Sequence, residues 1–197
     1  MEYKNKIIKL AEKNNGYIRT KEIVHNDISK NYLKELVDEK VLLKVKKGLY
    51  ILSNYFEDEY FVFQSTNSNA IFSLETALYL HNYNDRVPTI YNITVPKNYG
   101  GNLRKEKNVK LLYIKPELHN IGITEIESPL GNKIKVYDLE RTICDIIKFK
   151  SKVDPEIFSK ALKQYVKSKN KNLNNLIIYA KKLKIEDEVR KYMEVML

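Results

Sequence analysis

The chain has 197 residues, of which 43% are hydrophobic and 30% are charged. That hydrophobic fraction supports a buried core and argues against a disordered chain. Only six glycines and five prolines are present, which excludes collagen-like and low-complexity chains. The single cysteine, Cys144, cannot form an internal disulfide and favours a reducing compartment. No stretch reaches the roughly 18 apolar residues of a membrane span, so we expect a cytoplasmic protein with no membrane partner.

The formal net charge of +10 suits a nucleic acid, an anionic membrane or an acidic protein partner. Most of the basic residues are lysines, and asparagine, isoleucine and tyrosine are also abundant. Because an A·T-rich coding sequence produces this mixture, the total charge alone favours nucleic-acid binding only weakly. The distribution is more informative: through residue 55, twelve basic side chains stand against seven acidic ones.

Three short helices are predicted in the first 40 residues. Apolar side chains at helical spacing predict the first helix over residues 3–13, which ends before Gly16. Thr20 is the expected N-cap of a second helix, and Ser29 is the expected N-cap of a third, over residues 30–39. A helix-turn-helix has this organisation.

A β-hairpin is predicted directly after these helices. The hydrophobic period changes from 3.6 to 2, which predicts strands over residues 41–46 and 49–52, with a tight turn at Gly48. Helices followed by a basic hairpin are the plan of a winged helix-turn-helix. We therefore assign residues 1–55 to a winged-helix DNA-binding domain.

In such a domain the third helix lies in the major groove, and its first turn faces the base edges. Asn31 suits a bidentate contact with adenine, whereas lysine suits guanine or a phosphate. The free N–H groups at a helix start also favour a phosphate. The candidate DNA-binding residues are Thr20, Ser29, Lys30, Asn31, Tyr32, Lys34, Lys44, Lys46 and Lys47. The alternative is a winged helix that contacts protein and whose lysines are merely solvated.

The rest of the chain is predicted to be a partly helical connector, residues 56–72, and a second domain, residues 73–197. Its first helix is capped by Ser73, and four extended segments follow, at residues 89–95, 109–114, 121–127 and 133–137. A turn at residues 128–132 joins the last two. We expect an α+β domain with a small, mostly antiparallel sheet.

Helical patterns continue from Asp138 to the end of the chain. Asp138 is the expected N-cap of a helix over residues 139–149, and Asp154 followed by Pro155 is a strong helix start. Two further amphipathic helices are predicted over residues 173–183 and 186–196. These C-terminal helices complete the predicted second domain.

Little in the sequence indicates an active site. The histidines His25, His81 and His119 have no partner at metal-ligand spacing. The pair Gly100-Gly101 lacks the lysine and serine of a phosphate-binding loop. Cys144 lies between apolar residues and is predicted to be a buried, inert thiol. We therefore assign no catalytic residue, no metal ligand and no cofactor.

One cluster of charged residues leaves an alternative open. Acids two residues apart can hold Mg²⁺ in nucleases, and Asp138 and Glu140 have that spacing. Asp138 is also explained as an N-cap, and Glu140 as an acid at the positive end of a helix. Arg141 and Asp145 have the spacing of an ion pair along a helix. A Mg²⁺-dependent nuclease remains the enzymatic alternative.

Short motifs along nearly the whole chain carry a resemblance to a known family. Residues 16–52, which include the hairpin motif Lys47-Gly48-Leu49-Tyr50, match the winged helix of that family. The second domain matches more specifically. Its matching segments are residues 73–81, 85–88, 94–96, 122–123, 129–131 and 136–145. On these motifs the chain resembles the AbiEi antitoxins of bacterial type IV toxin–antitoxin systems, which act in abortive infection, a phage defence.

The resemblance implies a transcriptional repressor that binds inverted repeats in its own promoter. It also implies that residues 73–197 neutralise a toxin of nucleotidyltransferase type, without requiring a stable complex with it. No catalytic residue is carried over. Basic residues of the second domain can extend the DNA footprint in this family, and the compatible candidates are Lys160, Lys163, Lys167, Lys169 and Lys171. Direct binding of the toxin as the main role is the remaining alternative.

Overall fold

The computed structural model describes residues 2–196. The chain divides into two compact units: the first runs to Thr66 and also includes Glu127–Ile134, and the second comprises the remaining residues. Both helices and sheets are present, so the predicted α+β class is confirmed. Within residues 2–196, no helix combines the length and apolar character that a membrane span requires.

The first unit contains four helices and three strands within the described residues. The helices are α1 (Glu2–Lys13), α2 (Thr20–His25), α3 (Asn31–Asp38) and α4 (Glu59–Ser65). The strands are β1 (Tyr17–Arg19), β2 (Leu42–Lys46) and β3 (Leu49–Leu52). They form an antiparallel sheet of order β1-β3-β2. The three predicted helices and the predicted hairpin are confirmed as elements.

The core of this unit explains why the helices end where they do. Ile7, Ile23, Leu33 and Leu42 are buried together, each from a different element. Gly16 ends the turn after α1 with a φ of +84°, and its N–H donates to the Ala11 carbonyl of α1 at 2.9 Å. A left-handed φ of this kind favours glycine, so this predicted helix end is confirmed.

The predicted caps of α2 and α3 need correction. Thr20 is not the N-cap of α2, because the helix includes it and Arg19 holds that position. Glu22, the third residue of the helix, accepts the Arg19 N–H through its carboxylate at 2.6 Å, as the acid of a capping box does. Lys30, rather than Ser29, is the N-cap of α3. The Ser29 hydroxyl still accepts the N–H of Asn31, at 3.3 Å.

A buried carboxylate fixes the start of α4. Asp58 is 1% exposed, and its Oδ1 accepts the N–H of Phe61 at 3.2 Å, as an N-cap. Its Oδ2 accepts from Asn132 Nδ2 at 2.7 Å and from the Ser128 hydroxyl. The Asp58 N–H donates to the Tyr17 hydroxyl at 2.7 Å. This residue therefore ties α4, β1 and the 127–134 segment into one unit.

The second sheet has the order β6-β5-β4-β8-β7. Its strands are β4 (Ile71–Phe72), β5 (Tyr91–Pro96), β6 (Val109–Ile114), β7 (Ile123–Glu127) and β8 (Lys133–Tyr137). Strands β5 and β6 are parallel, as are β4 and β8, whereas β4 and β5 are antiparallel. The prediction of a mostly antiparallel sheet was therefore wrong: the sheet is mixed. The two-residue strand β4 is too short to show a period, yet it separates β5 from β8.

The helices of the second unit surround a core centred on α7. They are α5 (Leu74–Leu80), α6 (Pro116–His119), α7 (Leu139–Lys148), α8 (Pro155–Lys167), α9 (Leu173–Leu183) and α10 (Glu186–Met196). Ile143, Ile146 and Cys144 of α7 are buried in that core. Two predicted caps are confirmed: Asp138 Oδ1 accepts the Arg141 N–H at 2.8 Å, and Asp154 Oδ1 accepts the Glu156 N–H at 2.8 Å. Ser73 holds the predicted N-cap position of α5, but its side chain makes no cap hydrogen bond.

Candidate nucleic-acid interface

The first turn of α3 presents the polar side chains that the sequence assigns to DNA. Lys30, Asn31 and Lys34 are exposed, whereas Leu33 is buried. This alternation follows from the helical period, which directs every third or fourth residue toward the core. The outward side chains are therefore accessible to a ligand as large as a duplex.

Tyr32 is arranged differently from its neighbours on α3. Its ring stacks on that of Tyr3 in α1, with 5.6 Å between centroids and 27° between planes. The side chain is half-buried. Tyr32 therefore packs α3 against α1 and lies at the edge of the exposed side of α3.

The hairpin is fixed to the start of α2. The Thr20 N–H donates to the Gly48 carbonyl at 3.0 Å, and Gly48 has a φ of +75° that favours glycine at this turn. Lys44 lies opposite Tyr50, Lys46 lies opposite Leu49, and the register shifts between the two lysines. Such a bulge twists the strand locally.

The five candidate lysines of the first unit have no ion pair within residues 2–196, a property that other lysines of this unit, such as Lys9, share. Within residues 2–196, none of their ammonium groups lies within 4.0 Å of a carboxylate. This lysine set comprises Lys30, Lys34, Lys44, Lys46 and Lys47, of which only Lys46 is half-buried and the others are exposed. Their charge is therefore available to an anionic partner.

The candidate lysines of the second unit have a mixed environment. Lys160, Lys163 and Lys167 line one open groove on α8. Lys160 forms an ion pair with Asp85, and Lys171 Nζ donates to the Ser168 carbonyl at 3.2 Å. Lys169 is exposed beside Lys171, in the loop before α9, away from the residues that line the groove on α8. Asp85 thus reduces the positive charge available on α8.

The four charged residues around the start of α7, here named the α7 charge cluster, are Asp138, Glu140, Arg141 and Asp145. Arg141 and Asp145 have fully buried side chains, and Arg141 Nε lies 3.1 Å from Asp145 Oδ1. Arg141 Nη1 donates to the carbonyls of Leu118 and Ile121, at 2.8 and 2.7 Å. The guanidinium lies over the Tyr137 ring, 4.2 Å from its centroid.

Both acids of the proposed Mg²⁺ pair have partners within the protein. Asp138 Oδ2 accepts the Tyr179 hydroxyl at 2.8 Å, and Glu140 Oε1 accepts the Asn172 N–H at 2.8 Å. Burial raises the pKa of Asp138, and its hydrogen bonds oppose that shift. Within residues 2–196, no group of three or more histidine, cysteine or acidic side chains is placed to hold a metal ion. These contacts support a structural role for the α7 charge cluster.

The chain is similar to a mycobacterial protein of known structure. The crystal structure of the RV2827C protein from Mycobacterium tuberculosis matches with a TM-score of 0.63 and 12% sequence identity, over 98% of this chain and 77% of that chain. At that identity, the similarity shows a shared fold only. No family model and no curated protein matches the chain.

Lys4 is a residue at the edge of the candidate interface that sequence reasoning missed. Its ammonium lies 2.6 Å from Glu35 Oε2 and 2.7 Å from Glu39 Oε1, so α1 and α3 are joined by a branched ion pair. The sequence separation of more than 30 residues leaves no local signal for these contacts. Only the packing of α1 against α3 brings them together.

Proposed function

We propose that the first unit is a winged helix-turn-helix that binds double-stranded DNA. In this proposal α3 enters the major groove, and the β2–β3 hairpin is the wing that contacts the adjacent backbone. The observation that carries the proposal is the placement of the lysine set: Lys30 and Lys34 are exposed beside Asn31 at the start of α3, and the other three lie in the hairpin. None of the five has a carboxylate within 4.0 Å in the described part of the chain. Phosphates are the ligands that such a set favours.

The proposal gives each group a separate task. Asn31, in the first exposed turn of α3, contacts a base edge, and Lys30 and Lys34 contact guanine or nearby phosphates. Ser29 and Thr20 lie at the two helix starts, where backbone N–H groups favour a phosphate. Lys44, Lys46 and Lys47 bind the flanking backbone. Tyr32 orients α3 through its stacking on Tyr3.

We further propose that the protein is the antitoxin of a type IV toxin–antitoxin system. It represses its own operon at promoter inverted repeats and counteracts a nucleotidyltransferase-type toxin in the cytoplasm. The support is the sequence resemblance to AbiEi antitoxins, which extends through residues 136–145. Lys163 and Lys167, exposed on α8, are the strongest candidates for a secondary DNA contact in the second unit.

A salt titration of DNA binding tests the first proposal. The full chain is titrated with a duplex selected from a random pool and with the DNA upstream of its own gene. If about five to seven phosphates are contacted, the logarithm of the association constant falls against log salt with a slope of roughly −4 to −6. Lys182→Ala, which removes an exposed lysine of α9, is the matched control and keeps the slope unchanged. Absence of duplex binding at low salt would contradict the proposal.

Co-expression tests the antitoxin role. The neighbouring gene product is expressed alone and with this protein, and growth is restored only in the second case. Two further readouts separate the alternatives: cleavage of the bound duplex in Mg²⁺ would indicate a nuclease, and a complex with the neighbouring protein that survives high salt would indicate direct toxin binding. Continued growth arrest in the presence of this protein would contradict the antitoxin role.

A further inference from the structure

The charge of α3 raises a difficulty for any helix that must approach DNA. Residues 30–40 contain three lysines and three acids, so the segment has no net charge of its own. The acids are Glu35, Asp38 and Glu39, all in its C-terminal half. A helix with exposed carboxylates near phosphates is repelled by them, which weakens binding.

Lys4 pairs with two of these three acids and offsets one of their two negative charges. Its ammonium lies between carboxylates that are one helical turn apart, at 2.6 Å from Glu35 Oε2 and 2.7 Å from Glu39 Oε1. The Lys4 side chain is 23% exposed, whereas the glutamate side chains are about half exposed. The hydrogen bonds with Glu35 and Glu39 raise the pKa of Lys4 above its ordinary value.

We propose that Lys4 is a positioning residue for DNA binding: it holds the Glu35 and Glu39 carboxylates beside α1 and so leaves α3 with a positive outward surface. This inference rests on the proposed function. Lys4 acts through the two acids rather than through a contact of its own with a base. With Lys4 counted, the segment has four positive charges against three negative ones, a net charge of +1.

The first experiment compares Lys4→Met with Lys9→Met in the full chain. Both variants lose one positive charge from α1, but Lys9 is exposed and has no carboxylate within 4.0 Å in the described residues. Duplex affinity is measured at 50 and 200 mM salt. We expect Lys4→Met to bind roughly five-fold more weakly at 50 mM and less so at 200 mM, because salt screens the released carboxylates. Lys9→Met should change affinity by less than about two-fold.

The second experiment is a rescue that a purely structural role would not produce. Glu35→Gln and Glu39→Gln are added to Lys4→Met, which removes the released charges without restoring the link between α1 and α3. We expect the triple variant to regain the affinity of the unchanged protein. Lys4→Arg, which keeps the charge, should also bind normally, and thermal unfolding of each variant shows that it is folded.

The outcomes separate this inference from the proposed function. If the unchanged protein binds no duplex, both are wrong. If it binds and Lys4→Met binds equally well, or if the glutamine substitutions fail to restore binding, only the role of Lys4 is overturned. A salt-dependent loss together with rescue supports the role.

Discussion

The lysine set of the first unit and the α7 charge cluster of the second unit both concentrate charged side chains, but they differ in what surrounds each charge. Lys30, Lys34 and their companions are solvated and unpaired within the described residues. Arg141 and Asp145, by contrast, are fully buried and paired with each other. The role of a charge therefore follows from the partner within reach, and the number of charged residues in a segment does not reveal it.

The physical reason lies in desolvation. A charge buried in protein loses its hydration, so it must have an opposite charge and hydrogen bonds close by. Arg141 has both, in Asp145 and in the carbonyls of Leu118 and Ile121. A solvated lysine keeps its hydration and can exchange it for a phosphate contact. Four substitutions test this contrast.

The largest expected effect is that of Arg141→Met. The substitution leaves Asp145 buried without its counter-charge, and we expect the free energy of unfolding to fall by about 3–5 kcal/mol. Urea unfolding followed by circular dichroism measures the change. The double variant Arg141→Met with Asp145→Leu should recover most of the loss, because it removes both charges. A loss below about 1 kcal/mol would show that the pair is not buried as described.

Asn31→Ala should have an intermediate effect, on binding rather than on stability. We expect the substitution to weaken binding of the preferred duplex by about 1–3 kcal/mol, through one base-pair position. When that base pair is replaced, Asn31→Ala and the unchanged protein should bind the duplex equally well. Competition binding with a set of single-base variants measures it. Asn5→Ala, at an exposed asparagine of α1, is the control. An unaltered base-preference profile would place the base contact elsewhere.

Tyr179→Phe should show a smaller effect that depends on pH. The Tyr179 hydroxyl donates to Asp138 Oδ2, and burial together with that carboxylate raises the pKa of Tyr179 to about 12. Because the ordinary value is about 10, the stabilisation is complete below about pH 10 and is lost as the pH rises toward 12. We expect Tyr179→Phe to lower the free energy of unfolding by about 1 kcal/mol at pH 8. Between pH 10 and 12, the free energy of unfolding of Tyr179→Phe should decline less steeply than that of the unchanged protein. An identical decline in both proteins would contradict the hydrogen bond from Tyr179 to Asp138.

The smallest effect is expected for a single lysine of the hairpin. Lys46→Ala or Lys47→Ala should weaken binding to all duplexes alike and make the salt slope shallower by about one. Lys160→Ala sharpens the comparison, because Lys160 already has Asp85 as a partner. An equal change of slope in Lys160→Ala would place the second unit within the DNA footprint.

Local patterns in the sequence predicted most of the helices correctly. Asp138 and Asp154 are the caps that the sequence indicated, because an acid before a helix accepts the free N–H groups of its first turn. Thr20 is not the cap because α2 begins at Thr20 itself, which places Arg19 at the N-cap position. The prediction of a mostly antiparallel sheet failed for a different reason: pairing joins strands distant in sequence, and β4 has only two residues.

In the candidate site, too, features with a local sequence pattern could be predicted, whereas contacts that depend on packing could not. The exposure of Lys30, Asn31 and Lys34 followed from helical periodicity, which a sequence displays directly. The contacts of Lys4 with Glu35 and Glu39 depend on how α1 packs against α3, and no local pattern indicates them. The complete burial of Arg141 was likewise invisible, because arginine at helical spacing usually denotes a solvated side of the helix.

The partners of Asp58 have a consequence for dissecting this protein. Ser128 and Asn132, which donate to its carboxylate, come from a segment some 70 residues further along the chain. A fragment that stops at Thr66 would leave the buried Asp58 carboxylate without two of its three donors. The first unit therefore cannot be transferred by a single cut after Thr66. A graft into another protein must carry residues 127–134 with it, or replace Asp58 by a residue that needs no such donors.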